Sequence, residues 1–321
     1  MNTKVTVTGM EVKTKVSSNL LIAADELSST GKVAETNFGS AISQTVKGYL
    51  EPVSTVDAVN FFYTLNAKAD GAIQSGATYI PYNVGSSATD DTTYANKFSE
   101  DYGVTKTVAG AYATEGDAAS AYVDYVFQLK AVATEESYIN LTKVFLVDSN
   151  AQDTSKAHRI AVFVEDITSG TATAGVGTKQ IILTEAGAVN QESGKAVNAV
   201  GGTAAVSYGA YADTTLAHIT TAETKYYKVV VRLWLEGEDT TCYNDKFLPL
   251  TNAWSIDLEI SLSTSSTGAA TNITKIWTNG AKWYDGTNVY NTLADAESGE
   301  NGTAIGSVDS AIQDAFGYVA P

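Results

Sequence analysis

Cysteine is nearly absent from this chain: Cys242 is the one thiol in 321 residues. A single cysteine excludes an intramolecular disulfide and a zinc site built from several thiolates. The two histidines, His158 and His218, are far apart in the sequence, and neither has a second histidine at metal-ligand spacing. No run approaches the roughly 18 apolar residues of a membrane-spanning helix, so we expect no membrane span.

Positive charge is also scarce. The chain has 20 Lys and Arg against 36 Asp and Glu, which gives a formal net charge of −16. Such a field repels phosphates, so we expect neither nucleic acid nor an anionic lipid surface as a partner. Only 17% of the residues are charged, below the usual share of about a quarter. The surface must therefore consist largely of Thr, Ser, Asn, Gly and Tyr, a composition associated with extracellular and virion β proteins.

The motifs of common catalytic sites are incomplete. The nucleophile elbow of serine hydrolases requires Gly-x-Ser-x-Gly, but the nearest match, AVSYG, begins with Ala205. A phosphate-binding loop requires Gly-x-x-x-x-Gly-Lys-Ser/Thr, and VNQESGKA has Val189 and Ala196 at two of the required positions. We therefore expect no catalytic residues and a protein that is not an enzyme.

Alternation of apolar and polar residues dominates the chain and predicts half-buried β-strands. The clearest segment is WSIDLEISL (254–262), for which we expect YYKVVVRLWLEG (226–237) as the neighbouring strand. We expect a second pair between YVDYVFQLKAV (122–132) and SYINLTKVFLV (137–147). The middle of 226–237 is apolar without alternation, which indicates a strand covered on both faces.

Helix is scarce. The best candidate is SVDSAIQDAFGYV near the C-terminus, with Ser307 as the expected N-cap and Gly317 as the stop. Many short strands and long loops rich in Gly, Ser and Thr indicate an all-β fold. We expect an antiparallel β-sandwich, jelly-roll-like, with long loops and one short C-terminal helix, built as a single large domain over residues 1–321 with insertions.

The opening segment VTVTGMEVKTKV (5–16) alternates and then changes parity at Gly9. One additional residue at a glycine is the signature of a β-bulge, which returns the apolar side chains to one face. Those side chains are Val5, Val7, Met10 and Val12. Two partners remain open for the strand. It is either an edge strand of its own sandwich or a donor strand, residues 1–12, that pairs with an exposed sheet edge of the next subunit.

The segment EGEDTTCYND (236–245) gathers acidic side chains around the end of one predicted strand. Calcium takes roughly six to eight oxygen ligands from loops of this kind. A weak calcium site is therefore one hypothesis and a solvated acidic turn the other, and we expect no other cofactor. The candidate calcium ligands are Glu236, Glu238, Asp239 and Asp245.

Aromatic side chains gather near the C-terminus at Trp277, Trp283, Tyr284 and Tyr290. In a β-rich protein such residues belong either to the core or to a platform on which sugars stack. The second interpretation leaves a carbohydrate-binding module as an alternative function.

Several segments resemble one family. They are NTKVTVTGMEVKTKVSSNLLIAAD, LEPVSTVDAVNFFYTLNA, YVDYVFQLKA, YYKVVVRLWLEGEDTTC and WSIDLEISL. Together they resemble the pattern of secreted surface proteins from Gram-positive bacteria, which are similar to the TasA/camelysin-like group of filament-forming jelly-roll proteins. The resemblance implies a secreted β-sandwich subunit of an extracellular filament or surface fibre. It implies a homopolymer in which the N-terminal segment of one subunit complements its neighbour, with no catalytic residues.

The family carries a leader before its first strand, whereas Met1 stands in that place here. We therefore expect an extracellular or cell-surface location if a leader has been removed. If none was present, the alternative is a virion structural protein, such as a capsid, decoration or fibre subunit.

Overall fold

Most of the sandwich is visible in a computed structural model of the chain. It describes residues 5–17, 19–50, 54–55, 58, 61–64, 79–81, 105–106, 118–120, 122–149, 154–173, 177, 179–188, 195–197, 205–207, 215–236, 239, 241–242, 254–267 and 270–319. In several strands, among them residues 5–16 and 45–50, it describes the backbone alone.

The described ranges contain many strands and two short helices. The strands are β1 (Val5–Val16), β2 (Leu20–Ala24), β3 (Ala41–Leu50), β4 (Ser54–Thr55), β5 (Phe61–Thr64), β6 (Tyr79–Pro81), β7 (Thr105–Lys106), β8 (Ala118–Ser120), β9 (Val123–Val132), β10 (Ser137–Asp148), β11 (His158–Asp166), β12 (Lys179–Thr184), β13 (Lys195–Val197), β14 (Ala205–Ser207), β15 (Thr215–Ile219), β16 (Thr224–Leu235), β17 (Trp254–Ser263), β18 (Thr274–Thr278), β19 (Trp283–Tyr284), β20 (Asn288–Tyr290) and β21 (Thr303–Ala304). The helices are α1 (Leu293–Ser298) and α2 (Ser310–Ala315). Neither described helix is long and apolar enough to cross a membrane.

Two sheets form the body of the fold. Among the described residues, the large sheet has the strand order β21-β20-β19-β18-β10-β17-β1-β3-β8-β7, and β15 also pairs with β10. The small sheet has the order β12-β11-β16-β9-β2. The remaining described strands form a hairpin of β13 and β14 and a separate three-stranded sheet of β4, β5 and β6.

The inner faces of the two sheets bury each other. Leu129 and Leu233 of the small sheet lie in one apolar cluster with Leu146 and Leu258 of the large sheet, and none of the four is more than 1% exposed. Full burial of one such side chain is worth about 1.5–3 kcal/mol. The predicted all-β sandwich is therefore confirmed.

The outer face of β16 is buried as well, as its unbroken apolar middle predicted. Its outward side chains, none more than 3% exposed, are Lys228, Val230, Arg232 and Trp234. Arg232 forms two hydrogen bonds with the carboxylate of Asp124 on β9, at 2.7 and 2.8 Å, and donates to the carbonyl of Ala58 at 2.8 Å. Loop segments therefore cover this face, and they supply partners for its charges.

Lys228 shows the same arrangement with backbone partners. Its ammonium donates to the carbonyls of Leu27, Ser29 and Thr173, at 2.9, 2.8 and 3.2 Å. Burial lowers the pKa of Lys228 below the ordinary value for lysine. A buried ammonium requires such hydrogen bonds, since an unpaired one is strongly disfavoured. Lys228 thereby fixes two separate loops against the outer face of the small sheet.

The predicted strands are confirmed, but the predicted pairs are wrong. β17 pairs with β10 and β1, whereas β16 pairs with β9 and β11 in the other sheet. β9 and β10 lie in opposite sheets, and the short connection at 133–136 crosses between them. Alternation shows which face of a strand is buried, but it does not identify the neighbouring strand.

Two details of the predicted fold class also need correction. The large sheet is mixed and not purely antiparallel, because β1 runs parallel to β17 and β18 runs parallel to β10. There are two short helices near the C-terminus in place of one. α2 has Asp309 as its N-cap, with the carboxylate accepting from the N–H of Ala311 at 2.8 Å, because Ser307 belongs to the preceding 3-10 turn.

A buried ionic network closes one end of the sandwich. Glu185 follows β12 in the small sheet, and its carboxylate lies 2.7 Å from Nδ1 of His158 and 3.2 Å from Nζ of Lys275 on β18 of the large sheet. Lys275 also donates to the carbonyl of Ser155. Burial raises the pKa of Glu185, but the charges and hydrogen bonds of His158 and Lys275 outweigh burial and hold the pKa below its usual value.

We expect Glu185→Gln to destabilise the fold by about 3–5 kcal/mol near neutral pH, because Lys275 and His158 would stay buried without their anion. Since the folded pKa is lowered, the contribution of Glu185 is present above the ordinary pKa of 4.5 and is lost as the pH falls through the folded value. Urea unfolding at a series of pH values should show the two proteins converging in acid. Glu300→Gln, at an exposed position, is the matched control, and an equal loss there would contradict this account.

Candidate self-assembly site

β1 lies in the interior of the large sheet. It runs antiparallel to β3 over residues 5–15 and parallel to β17 over residues 11–16. On its other side, the described pairing of β3 with β8 covers residues 49 and 50. β1 therefore joins β3 to the body of the sheet. This strand lies in its own sandwich, as the first alternative expected, but not at the edge of the sheet, because residues 11–15 have a strand on either side.

The predicted β-bulge is confirmed. The register between β1 and β3 shifts between Val7 and Met10, on either side of Gly9. The four predicted donor residues all lie on β1, but their side chains fall outside the described residues: Val5, Val7, Met10 and Val12. Their role as donor side chains stays a prediction.

A tight turn joins β1 to β2. The N–H of Leu20 donates to the carbonyl of Ser17 at 2.9 Å, so three residues carry the chain from the large sheet to the small one. Ser17 is itself attached to β17. Its N–H donates to the carbonyl of Ile260 at 3.2 Å, and its hydroxyl accepts from the N–H of Leu262 at 2.9 Å. The turn is therefore fixed at the point where β1 ends.

The register places opposite charges side by side on β1 and β17. Lys13 pairs with Asp257, and Lys15 pairs with Glu259. From the opposite side, Nζ of Lys143 on β10 lies 3.3 Å from the carboxylate of Glu259. Opposite charges at paired positions favour a register, whereas like charges disfavour it. Sequence reasoning missed this pairing, although alternate positions of EVKTKV and WSIDLEISL carry opposite charges.

Asp239, one of the candidate calcium ligands, is 1% exposed and is already bonded through both oxygens. Oδ2 accepts from Nη2 of Arg159 at 2.8 Å, and Oδ1 accepts from the N–H and the hydroxyl of Thr241 at 2.9 and 2.6 Å. A calcium ion would have to compete with a buried guanidinium for this carboxylate. The geometry is that of a buried ion pair.

Of the other candidate calcium ligands, the structure describes Glu236. Glu236 is buried, and its carboxylate accepts from the indole N–H of Trp234 at 3.4 Å. Glu238 and Asp245 lie outside the described residues. Within the described ranges, no three His, Cys, Asp or Glu side chains are grouped so as to hold a metal ion. The calcium site stays a prediction.

The predicted aromatic cluster divides into core and surface. Tyr290 is 2% exposed, and its hydroxyl donates to Asp285 at 2.6 Å. Trp283 packs against the same small apolar cluster as Tyr290. Trp277 and Tyr284 are partly exposed, with ring centroids 5.7 Å apart. Tyr290 thus belongs to the core, whereas Trp277, Trp283 and Tyr284 pack against apolar clusters and keep part of their surface exposed.

Comparison with known proteins identified no relative. No family model, no curated protein and no solved structure matches this chain. The resemblance to TasA/camelysin-like proteins stays an expectation from the sequence segments. Functional inference for this protein has to start from its own geometry.

A double-mutant cycle tests the charge register of β1. We expect Lys13→Gln and Asp257→Asn to be coupled by about 0.2–1 kcal/mol in the free energy of unfolding, since paired opposite charges stabilise a sheet. Urea unfolding of the two single variants and of the double variant measures this coupling. A cycle of Lys282→Gln with Asp257→Asn is the control, because Lys282 has no register partner on β17. Zero coupling in the first cycle would show that the register does not depend on this pair.

Asp239→Asn distinguishes an ion pair from a metal ligand. We expect a loss of about 3–5 kcal/mol of stability, because the buried guanidinium of Arg159 would lose its anion. Thermal unfolding with calcium and with EDTA should give the same midpoint for the unsubstituted protein. A midpoint that calcium raises, and that Asp239→Asn no longer allows calcium to raise, would favour the calcium hypothesis. Asp314→Asn, at an exposed position, is the matched control.

Proposed function

We propose that the protein is a structural subunit of an extracellular filament or surface fibre, and that its subunits polymerise by exchanging β1. One observation carries the proposal: the first described strand, β1, fills an interior position of the large sheet, between β17 and β3. We refer to this position, bordered by residues 255–260 of β17 and 41–50 of β3, as the β1 slot. The same strand from a neighbouring copy would fill the slot with the same hydrogen bonds.

An empty β1 slot is strongly disfavoured. Without β1, the sheet has two unpaired edges whose N–H and C=O groups accept another strand. The edge on β17 carries core side chains too, since Ile256, Leu258 and Ile260 are at most 3% exposed. Some copy of β1 therefore has to occupy the slot, from the same chain or from the next one.

The connection after β1 favours exchange. Only Ser17 to Asn19 link it to β2, and a fully extended chain covers about 3.3–3.6 Å per residue, so the link spans roughly 10 Å. A short connection between two sheets is the kind of hinge at which domain swapping takes place, when it opens into an extended link between subunits. If each subunit donates β1 to one neighbour and receives it from another, the chain of subunits grows into a filament unless its rotation closes a ring.

A disulfide across the slot distinguishes exchange from pairing within one chain. Lys13 and Ser43 are register partners on β1 and β3, and the only native thiol, Cys242, is buried. In the variant Lys13→Cys/Ser43→Cys, exchange links each chain to the next. We expect oxidation to give a ladder of covalent multimers on a non-reducing gel, and negative-stain electron microscopy of the same sample to show filaments.

Ser43→Cys alone is the matched control, and it can give no product larger than a dimer. A monomer band with an intrachain disulfide in the double variant would contradict the proposal. Removal of residues 1–12 should abolish the filaments, and filaments that persist without these residues would equally exclude β1 as the exchanged strand.

A further inference from the structure

A cavity opens at the end of the sandwich that the Glu185 network closes. Its volume is about 410 Å³, within the range of roughly 300–1,000 Å³ that is typical of small-molecule sites. It lies between the end of β12 and the start of β18. Glu185 and Lys275, at 5% and 8% exposure, form part of its wall. The ion pair between them gives this wall a fixed geometry.

Trp277 lines the cavity and is fixed by its neighbours. Its ring centroid lies 5.7 Å from that of Tyr284, which in turn lies 5.2 Å from that of Phe316. Nζ of Lys275 lies over the indole, 6.0 Å from the centroid. Gly286, with a φ of +98°, lies at the ring edge, where an added Cβ would come within 3.7 Å of Cζ3. The cavity therefore contains a rigid, partly exposed aromatic surface.

Polar side chains around the cavity are available for a ligand. Four of those that line it form no side-chain hydrogen bond or ion pair with any other described part of the chain: Thr154, Lys156, Asn272 and Thr274. The backbone groups of Lys156 and Thr274 do pair. Threonine hydroxyls and the asparagine amide both donate and accept hydrogen bonds, whereas the lysine ammonium only donates. The rim thus offers both kinds of group beside an aromatic face.

The formal charges of the lining cancel. Lys156 and Lys275 oppose Glu185 and Asp285. The whole chain carries a net charge of −16, which disfavours phosphates and other polyanions. A neutral ligand with many hydroxyls matches this combination better than a nucleotide does.

We propose that this cavity binds one or two units of a neutral saccharide. The C–H face of a pyranose stacks on Trp277, because the π face of the indole is electron-rich. The sugar hydroxyls exchange hydrogen bonds with Asn272, Thr274 and Thr154. The volume suits a short saccharide, or the end of a longer one. The site is separate from the β1 slot and gives the protein a glycan-binding role that does not depend on polymerisation.

Saturation-transfer NMR on the full chain tests the proposal, with glucose, galactose, N-acetylglucosamine and glucuronate as probes. We expect transfer to the C–H protons of at least one neutral probe, and less transfer to glucuronate. Asn272→Ala and Thr274→Ala should each weaken binding of that probe about 3- to 10-fold, the effect of losing one hydrogen bond. Thr30→Ala, at an exposed position on another loop, is the matched control and should bind normally.

Trp277→Ala should abolish the transfer, and circular dichroism of the same sample verifies that the variant is folded. If that variant does not fold, Asn272→Ala and Thr274→Ala carry the test, since both replace partly or fully exposed side chains. Absence of transfer to all three neutral probes would overturn the proposal, as would binding that neither substitution weakens. These readouts are independent of the disulfide ladder, so failure of either proposal is recognised separately.

Discussion

The backbone hydrogen bonds of β1 hold the large sheet together. On one side they reach β17, which carries Ile256 and Leu258 into the core. On the other they reach β3, whose described contact with β8 covers two residues. The β3 side of the large sheet is thus attached to β17 through β1, which a three-residue turn joins to β2. If neighbours exchange that strand, the stability of each subunit becomes linked to the concentration of the others.

Buried charges determine how the remaining parts are placed. The pairs of Arg232 with Asp124, and of Glu185 with Lys275, each connect elements that are distant in the sequence. Burying such a pair costs desolvation energy, and apolar residues of similar size often stabilise as well or better. These pairs instead fix the relative positions of the elements that they connect. The first attaches the segment at Ala58 to the small sheet, and the second holds the sheets together beside the cavity.

The strands and the bulge at Gly9 could be predicted because they are local. Alternation reports which side chains face the core, and a glycine at a parity change reports an extra residue. Partners are different, since the alternation within 254–262 does not indicate which strand lies beside it. The opposite charges of Lys13 and Asp257 are consistent with the observed register, but many other pairs of strands in the sequence also carry opposite charges.

The candidate sites could be predicted only in part, for the same reason. Asp239 was a reasonable calcium ligand from its acidic neighbours alone. Its actual partner, Arg159, lies 80 positions away, and no pattern in the sequence indicates that the two side chains form an ion pair. The cavity is formed by segments near 155, 185 and 275, so no single stretch of sequence contains it. The sequence indicated Trp277 as either a core residue or part of a sugar-stacking platform, but it gave no indication of the polar groups that surround it.

The position of β1 and the short turn at Ser17 determine how a polymer of exchanged strands would respond to a stretching force. Because residues 11–15 of β1 have a strand on either side, a pull along the axis of β1 strains the hydrogen bonds on both sides of this part at the same time, in shear. A hairpin at the edge of a sheet would instead open one bond after another. With a link of only three residues after β1, there is also little slack for neighbouring subunits to bend independently. A polymer joined in this way would behave as a stiff rod that resists stretching.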